Sequence, residues 1–218
     1  MIVAIDGPAG AGKSTIANKL SKMLNIHHMD SGAIYRCYTL AAMQSNTNTK
    51  SQTEMLKLVK ESNVRADYST IPAKFYLNNV EVGESIRENK ISSQVSFVAT
   101  HKCVRDAVVN NLRETSKSHS FVVEGRDIGS VVFPNAEHKF FLTASIEVRA
   151  KRRFSDLKSA GEEISFEQLC QDIEKRDHID SSRDIAPLIQ ATNAQLIDSS
   201  NMNIDEVVEH LNKVINPL

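Results

Sequence analysis

The sequence has little cysteine, and its arrangement does not suggest a covalent or metal cross-link. The three cysteines, Cys37, Cys103 and Cys170, lie far apart, and no CxxC spacing occurs. Structural zinc sites and disulfide frameworks use cysteines in even numbers or at short spacings, so neither is expected. We therefore expect three reduced thiols in a reducing compartment.

An excess of charge of either sign is also missing. The chain has 26 Lys and Arg residues against 27 Asp and Glu residues, which gives a formal net charge of −1. A protein that binds nucleic acid or an acidic membrane with its whole surface usually carries a clear basic surplus. We therefore expect no nucleic acid partner and no membrane, although a balanced total is compatible with a local basic patch.

Long apolar runs are absent as well. No stretch approaches the ~20 apolar residues of a membrane-spanning helix. The apolar start ends at Asp6 and has no basic region of the kind that precedes a secretory signal. A cytoplasmic protein is expected, and its 218 residues can bury one core, or one core with a smaller appendage.

Short apolar segments alternate with helical patterns along most of the chain. Strands are predicted at residues 2–5, 27–29, 121–123, 139–142 and 195–197. The clearest helical stripe is formed by Ile204, Val207, Val208, Leu211, Val214 and Ile215. This alternation predicts an α/β fold, in which helices cover both faces of a parallel sheet.

Residues 63–87 follow a different pattern. Apolar and charged residues alternate over 64–68, and the pair Asn78-Asn79 separates two further apolar segments. Alternation of this kind around an Asn-Asn turn predicts a small antiparallel sheet inserted into the α/β chain.

The segment GPAGAGKS, residues 7–14, matches G-x-x-x-x-G-K-[ST] at every fixed position. Its glycines let backbone N–H groups surround phosphate oxygens, and the following helix adds its N-terminal donors. Lys13 would reach the outer phosphates, and the Ser14 hydroxyl would bind Mg²⁺. A predicted strand precedes the loop and a predicted helix follows it, so we expect a nucleoside triphosphate, ATP, to bind here.

The loop alone leaves three classes open: a signalling GTPase, a motor or clamp-type ATPase, and a small kinase. No N-K-x-D guanine motif occurs, and the strand at 121–123 ends in Glu124 rather than in a clear Walker B aspartate. Arginines stand near the ends of several motifs, namely Arg36, Arg105, Arg126, Arg149, Arg152, Arg153, Arg176 and Arg183. Guanidinium groups suit phosphate oxygens, and phosphoryl transfer depends mainly on positioning and charge stabilisation, which favours a kinase.

Two arginine clusters each allow a second interpretation. Arg149, Arg152 and Arg153 share one helix face, which is either solvated or part of a closing lid. Arg176, Asp180 and Arg183 also share a face, where they form either a surface ion pair or a grip on phosphate and sugar. The phosphate-binding loop favours the functional interpretation of both clusters.

Taken together, these motifs resemble those of bacterial cytidylate kinases, a family of nucleoside monophosphate kinases. The matching segments are IDGPAGAGKST, MDSGAIYR, EGRDIGSVVFP, KFFLTAS with EVRAKRR, and RDHIDSSRDIAPL, which together extend from near residue 2 to near residue 200. The resemblance implies phosphoryl transfer from MgATP to CMP or dCMP. It also implies a P-loop-type parallel five-stranded core, an antiparallel insert that binds the monophosphate, and a short helical lid.

The resemblance also implies residue roles. Residues matching the ATP site are Gly7, Pro8, Ala9, Gly10, Ala11, Gly12, Lys13, Ser14 and Thr15. Those matching the CMP site are Ser31, Tyr35, Arg36, Ser96, Arg105, Arg126, Asp127, Arg176, Asp180 and Arg183. The implied catalytic cations are Lys13, Arg126, Arg149, Arg153 and Arg183, with Arg149 and Arg153 coming from the lid, and Ser14 is the implied metal ligand.

Within this scheme Ser96, Arg105 and Asp127 face the cytosine. Asp127 would accept from the N4 amino group, and Ser96 and Arg105 would donate to N3 and O2. Ser93 is a rival for the role of Ser96, because the surrounding segment matches loosely. An acceptor other than CMP, such as UMP or a non-nucleotide, and an ATP-binding regulatory module remain alternatives.

The predicted organisation is a single kinase domain. Its core comprises about residues 1–60, 88–148 and 166–218, its insert about 61–87, and its lid about 149–165. No long apolar stripe is left exposed by the predicted pattern, so a monomer is expected.

Overall fold

The computed structural model describes residues 1–159, 161 and 165–217. The strands are β1 (Ile2–Asp6), β2 (His27–Asp30), β3 (Val64–Asp67), β4 (Lys74–Leu77), β5 (Val80–Glu81), β6 (Phe121–Gly125), β7 (His138–Thr143) and β8 (Gln195–Asp198). The helices are α1 (Lys13–Met23), α2 (Ser31–Gln44), α3 (Gln52–Glu61), α4 (Asn89–Val98), α5 (Lys102–Thr115), α6 (Ile146–Ser159), α7 (Phe166–Ser182) and α8 (Ile204–Ile215).

The larger sheet has five strands in the order β2-β6-β1-β7-β8. The pairs β1–β6, β1–β7 and β7–β8 are parallel, and Ile5 of β1 lies opposite Glu124 of β6. The carboxyl ends of these strands therefore share one edge, where the phosphate-binding loop and the segment after β6 both begin. The α/β fold class and the five-stranded parallel sheet are confirmed.

The chain divides into two compact units. The first contains residues 1–26 and the described residues from 120 onward. Its core is formed by apolar residues of the central strands, such as Val3 and Phe140, which meet Leu20 of α1 and Leu211 of α8. Central parallel strands have both faces covered, which explains why β1 reads as a continuous apolar run.

Helix α8 carries the predicted apolar stripe, and four of its six members, Val207, Val208, Leu211 and Ile215, are buried. Ile204 and Val214, at the margins of the stripe, stay exposed. Asn203 begins the helix with a reciprocal capping box to Glu206, which satisfies two backbone donors.

The second unit contains residues 27–119. Its three-stranded sheet, in the order β3-β4-β5, is antiparallel, as the sequence predicted for residues 63–87. Asn78 and Asn79 have φ values of 51° and 68°, the left-handed backbone that a tight two-residue hairpin needs.

Helix α4 is an element that the sequence pattern did not predict. Its buried apolar residues Ile91, Val95 and Val98 follow helical spacing, but serines separate them and the preceding Glu88 makes no side-chain cap. Packing against α2, which the local sequence does not encode, therefore stabilises α4.

The proposed division into core, insert and lid stays a prediction. Helix α6 runs to Ser159 and α7 starts at Phe166, whereas residues 160 and 162–164 of the predicted lid lie outside the described residues. Among the residues described, no helix has both the length and the apolar character needed to cross a membrane.

Candidate active site

The phosphate-binding loop joins β1 to α1, as its sequence predicted. A Cβ atom placed on Gly7 would lie 1.9 Å from the backbone oxygen of Leu142, so only glycine fits at this position. Gly12 caps α1 with φ at 91°, a conformation that glycine adopts without strain. The loop therefore brings its backbone close to β7 and ends at the N-terminus of a helix, where anions bind.

Lys13 is the first residue of α1 and is buried in this loop. Its Nζ atom donates to the backbone oxygen of Pro8 at 2.7 Å. Burial, followed by the positive charges of Arg126 and Arg176, holds the pKa of Lys13 well below its usual value, although Glu124 opposes this effect. A buried ammonium beside two guanidinium groups forms a positive site that favours a polyanion.

Ser14 follows directly and meets an acid from another strand. Its hydroxyl donates to Oε2 of Glu124, at the end of β6, at 2.8 Å. Glu124 is 4% exposed, so this carboxylate is held inside the site. Glu124 had no role in the sequence-based prediction, and the signal that could have identified it is its place at the carboxyl end of a buried strand.

Asp6, the last residue of β1, is a second buried acid to which the sequence analysis gave no role. Its carboxylate accepts from the backbone N–H groups of Ile128 and Gly129 at 2.8 and 2.7 Å. Burial, with a smaller contribution from the charge of Asp127, raises the pKa of Asp6 to about 6, although the two backbone donors and Lys13 act in the opposite direction.

The raised pKa of Asp6 predicts a pH-dependent contribution to stability. The folded state holds this proton more tightly than the unfolded chain, whose pKa is near 3.8. The contribution of Asp6 to the free energy of unfolding should therefore be largest below about pH 4. It should fall by about 3 kcal/mol as pH rises through 6. Urea unfolding of the wild type and Asp6→Asn at several pH values measures this difference, and a difference independent of pH would contradict the prediction.

Behind the loop, four charged side chains of the first unit form a buried network. Arg126 donates from Nε to Asp180 Oδ2 at 2.8 Å. Arg183 lies 3.8 Å from Asp180 and 3.7 Å from Asp127, measured between its guanidinium nitrogens and the carboxylate oxygens. Asp127, Asp180 and Arg183 are each less than a tenth exposed. The sequence placed these residues on two separate motifs, and the fold brings them together.

Two members of the network, Arg126 and Asp180, stay charged despite burial. Burial alone would lower the pKa of Arg126, but the adjacent Asp180 raises it above its usual value. Burial likewise raises the pKa of Asp180, and Arg126 and Arg176 outweigh that effect, so that its pKa lies below the usual range. Ionised arginines held in place by carboxylates are available to bind phosphate in fixed positions.

The arginine face of α6 is not a solvated surface. Arg149 is buried; it donates to the backbone oxygens of Ala144 and Ala9 at 2.9 and 3.0 Å and lies 2.6 Å from Asp177 of α7. Through Ala9 it holds the phosphate-binding loop in this structure, and the transfer role expected for Arg149 stays a prediction.

Arg152 and Arg153 lie on the same helix as Arg149. Arg152 donates to both the hydroxyl and the backbone oxygen of Ser199, at 3.2 and 2.8 Å. Arg153 is half-buried on the same helix, and the role expected for it stays a prediction.

In the second unit, the N-terminus of α2 carries three of the predicted residues, Ser31, Tyr35 and Arg36. Asp30 caps this helix by accepting from the Ala33 N–H at 3.0 Å, and it holds the Arg36 guanidinium at 2.7 Å. Burial raises the pKa of Asp30, but Arg36 and His28 more than offset this, so the carboxyl stays ionised. One carboxylate thus orders both the helix start and the Arg36 side chain.

Helices α4 and α5 carry the other predicted residues of this unit. The Arg105 guanidinium lies 5.5 Å from the centre of the Tyr35 ring and donates to the backbone oxygen of Ala99 at 3.1 Å. Ser96 is buried on α4, whereas Ser93 is exposed and its hydroxyl donates to Lys90. This difference favours Ser96 over Ser93 as the residue that faces the base.

The first unit therefore gathers the phosphate-binding loop with Arg126, Asp127, Arg176, Asp180 and Arg183. The second unit gathers Ser31, Tyr35, Arg36, Ser96 and Arg105. Thr15 lies exposed in the first turn of α1.

The donor set beside Lys13 fits Mg²⁺. Mg²⁺ in phosphoryl-transfer sites uses one or two protein oxygens, with waters and substrate phosphates completing its shell. The Ser14 hydroxyl donates a hydrogen bond to Glu124, which leaves the lone pairs of the Ser14 oxygen for a cation. Within the described part of the chain no group of three or more His, Cys, Asp or Glu residues is placed to hold a metal.

The family model and the curated relatives that match this chain carry the same description. A family model described as cytidylate kinase matches residues 3–217. The chain is 45% identical over 207 residues to the cytidylate kinase of Shouchella clausii, covering 95% of this chain and 92% of that protein. It is 42% identical over 215 residues to the cytidylate kinase of Fusobacterium nucleatum, covering 99% and 97%.

Among solved structures, the chain is similar to an uncharacterized protein from Eubacterium ventriosum. The TM-score is 0.54 at 13% sequence identity, with 100% of this chain and 99% of that one covered. At this level of identity the likeness concerns the fold.

Proposed function

Because the chain belongs to the cytidylate kinase family, we propose that it transfers the γ-phosphoryl group of ATP to CMP or dCMP and yields ADP and CDP or dCDP. The family match spans residues 3–217, so it includes both the phosphate-binding loop and the arginine network. The protein is accordingly an ATP-dependent phosphotransferase that acts on a phosphate acceptor.

The observation that carries this proposal is the buried cluster of cations around Lys13. Arg126 and Arg176 lie close enough to depress the pKa of Lys13, and Asp180 fixes Arg126 from behind. A protein that only binds ATP needs positive charge around a single triphosphate. A kinase must also hold a second phosphate and stabilise the group that moves between the two, which this extra charge supplies.

The transfer needs no general base from the protein. The attacking oxygen of a nucleoside monophosphate is already anionic at neutral pH, so the chain has to align the two phosphates and screen their mutual repulsion. In our proposal the loop amides and Lys13 hold the donor phosphates, while Arg126 and Arg183 hold the acceptor phosphate. As the phosphoryl group moves in line, Lys13 and these arginines stabilise the charge on its oxygens.

The residues predicted for the acceptor in the second unit fit the same function. Arg36, ordered by Asp30, suits the monophosphate, and Arg105 and Ser96 suit the acceptors of a cytosine ring. Asp180 and Arg176 would reach the ribose and its phosphate.

Ser14 would hold Mg²⁺, and Glu124 would orient the Ser14 hydroxyl. When bound, Mg²⁺ would neutralise charge on the β- and γ-phosphates. Glu124→Gln removes the buried carboxylate that Ser14 contacts at 2.8 Å. We expect the Mg²⁺ concentration for half-maximal activity to rise about 10-fold, because residues that orient metal ligands typically contribute that much. Mg²⁺ titrations at fixed ATP test this, and an unchanged Mg²⁺ concentration for half-maximal activity would show that Glu124 does not contribute to Mg²⁺ binding.

A panel of acceptors tests the function itself. ADP release is measured in a coupled assay with CMP, dCMP, UMP, AMP and no acceptor. The proposal requires release to depend on CMP or dCMP and to be much slower with UMP or AMP. Equal rates with UMP would favour a kinase of different specificity, and acceptor-independent hydrolysis would favour a regulatory ATP-binding module. Neither alternative is favoured by the family match.

A further inference from the structure

Asp6 is a buried acid that touches neither substrate in the proposed reaction. It lies at the carboxyl end of β1, 2% exposed, opposite Gly125 of β6 and Phe141 of β7. Both of its carboxylate oxygens are used, one on the N–H of Ile128 and one on the N–H of Gly129. A carboxylate buried with two directed bonds to consecutive amides holds the backbone at that point.

The two amides belong to the start of a helical turn. Ile128–Val132 forms one π-helical turn, in which the N–H groups of Val132 and Phe133 reach back five residues to the oxygens of Asp127 and Ile128. The first N–H groups of any helical turn have no partner within it. Asp6, 122 residues earlier in the chain, satisfies them.

The residue directly before this turn is Asp127, a type that commonly caps a turn with its own side chain. Here Asp127 makes no such cap. Its carboxylate instead lies 3.7 Å from the Arg183 guanidinium, inside the charged network. Capping by Asp6 thus leaves the Asp127 side chain directed to the site.

The segment Arg126-Asp127 is consequently tied on both sides to the same residue. Gly125, just before it, pairs with Asp6 in the sheet, and Ile128, just after it, donates to the Asp6 side chain. Arg126 and Asp127 are the residues expected to contact the phosphate and the base of the acceptor, respectively.

We propose that Asp6 is a positioning residue for the acceptor: by capping the turn after Asp127 it fixes Arg126 and Asp127 and so sets affinity for CMP and discrimination against UMP. This inference rests on the proposed function, because it assumes that CMP is the acceptor. Asp6 acts through other residues and is not itself in contact with the reacting atoms.

Two substitutions of Asp6 test the proposal at pH 7.5. Asp6→Asn keeps the size and one accepting oxygen but turns an N–H₂ group toward a backbone N–H, while Asp6→Ala removes both bonds. We expect Asp6→Asn to raise KM for CMP about 10-fold. It should also lower the CMP to UMP ratio of kcat/KM about 10-fold, with a larger effect in Asp6→Ala. KM for ATP should change by less than about two-fold, because the loop contacts of Lys13 are untouched.

Glu137→Gln is the matched control. Glu137 is also a carboxylate that accepts an N–H from β1, that of Ile2 at 2.7 Å, but it lies at the opposite end of the strand. Its substitution should leave both KM values and the CMP to UMP ratio unchanged.

The outcomes separate the two proposals. A wild-type protein without CMP-dependent ADP release refutes the proposed function before any variant is considered. With an active wild type, the positioning role is refuted if Asp6→Asn leaves the CMP to UMP ratio unchanged. It is equally refuted if KM for ATP rises as much as KM for CMP. Should Asp6→Ala fail to fold, the isosteric Asp6→Asn, assayed well below its measured Tm, carries the test.

Discussion

Lys13→Met is expected to lower kcat about 10²- to 10³-fold while the protein stays folded. Lys13 is the loop cation closest to the donor phosphates in the proposed reaction, and removing one charge that stabilises a transition state costs about this much. Its Nζ atom is held at 2.7 Å from Pro8, so the charge is preorganised and water cannot replace it easily. Single-turnover assays with saturating ATP and CMP measure the effect on the chemical step.

Stability serves as the internal control for this substitution. Burial and two nearby arginines depress the pKa of Lys13, so the charged form is disfavoured in the folded protein. Methionine removes that charge, and the free energy of unfolding should therefore stay the same or rise. Lys19→Met, on the exposed part of the same helix and paired with Asp205, should leave kcat unchanged. A Lys13→Met protein with near-wild-type turnover would refute the proposed mechanism.

Asp127→Asn is expected to reduce the preference for CMP over UMP by about 10- to 100-fold. The Asp127 carboxyl group would accept from the cytosine amino group but repel the O4 oxygen of uracil, a mismatch of about 1–3 kcal/mol. An asparagine can turn its amide toward either base, so the repulsion is lost. The ratio of kcat/KM values for CMP and UMP measures the change.

Asp180→Asn is the matched control for this experiment. Asp127 and Asp180 are equally buried, and each lies within 4 Å of Arg183. Loss of either carboxylate disturbs the same network, but only Asp127 is expected to face the base. Asp180→Asn should therefore raise KM for both monophosphates and leave their ratio nearly unchanged. If the ratio stays constant in Asp127→Asn too, the base is read elsewhere.

Most of the fold was predictable because it is encoded locally. Apolar segments gave the five strands of the larger sheet, and alternation with an Asn-Asn turn gave the antiparallel insert at β3 to β5. Helix α4 was missed because three apolar residues among serines give a weak signal and no cap marks its start. Its formation depends on packing against α2, and local sequence does not carry that information.

The residues of the candidate site were likewise predictable only in part. The residues of the phosphate-binding loop and the arginine motifs could be named from sequence, because phosphate chemistry needs those residue types at those spacings. Glu124 and Asp6 received no role, since a single acid after an apolar strand has no distinctive spacing. Arg149 and Arg152 looked like a solvated face or a lid, and their backbone partners Ala9 and Ser199 were invisible to any helical pattern.

By itself, the sequence determined the strands of the larger sheet, the phosphate-binding loop with Lys13 and Ser14, and the residue types that would meet a second phosphate. These follow from periodicity and from short motifs, which act over a few residues. Only the tertiary structure decided that Glu124 meets Ser14 from 110 residues away and that Asp6 caps a turn 122 residues away. The physical reason is that a buried polar group takes the partner that strand register places beside it, and register depends on the packing of the whole sheet.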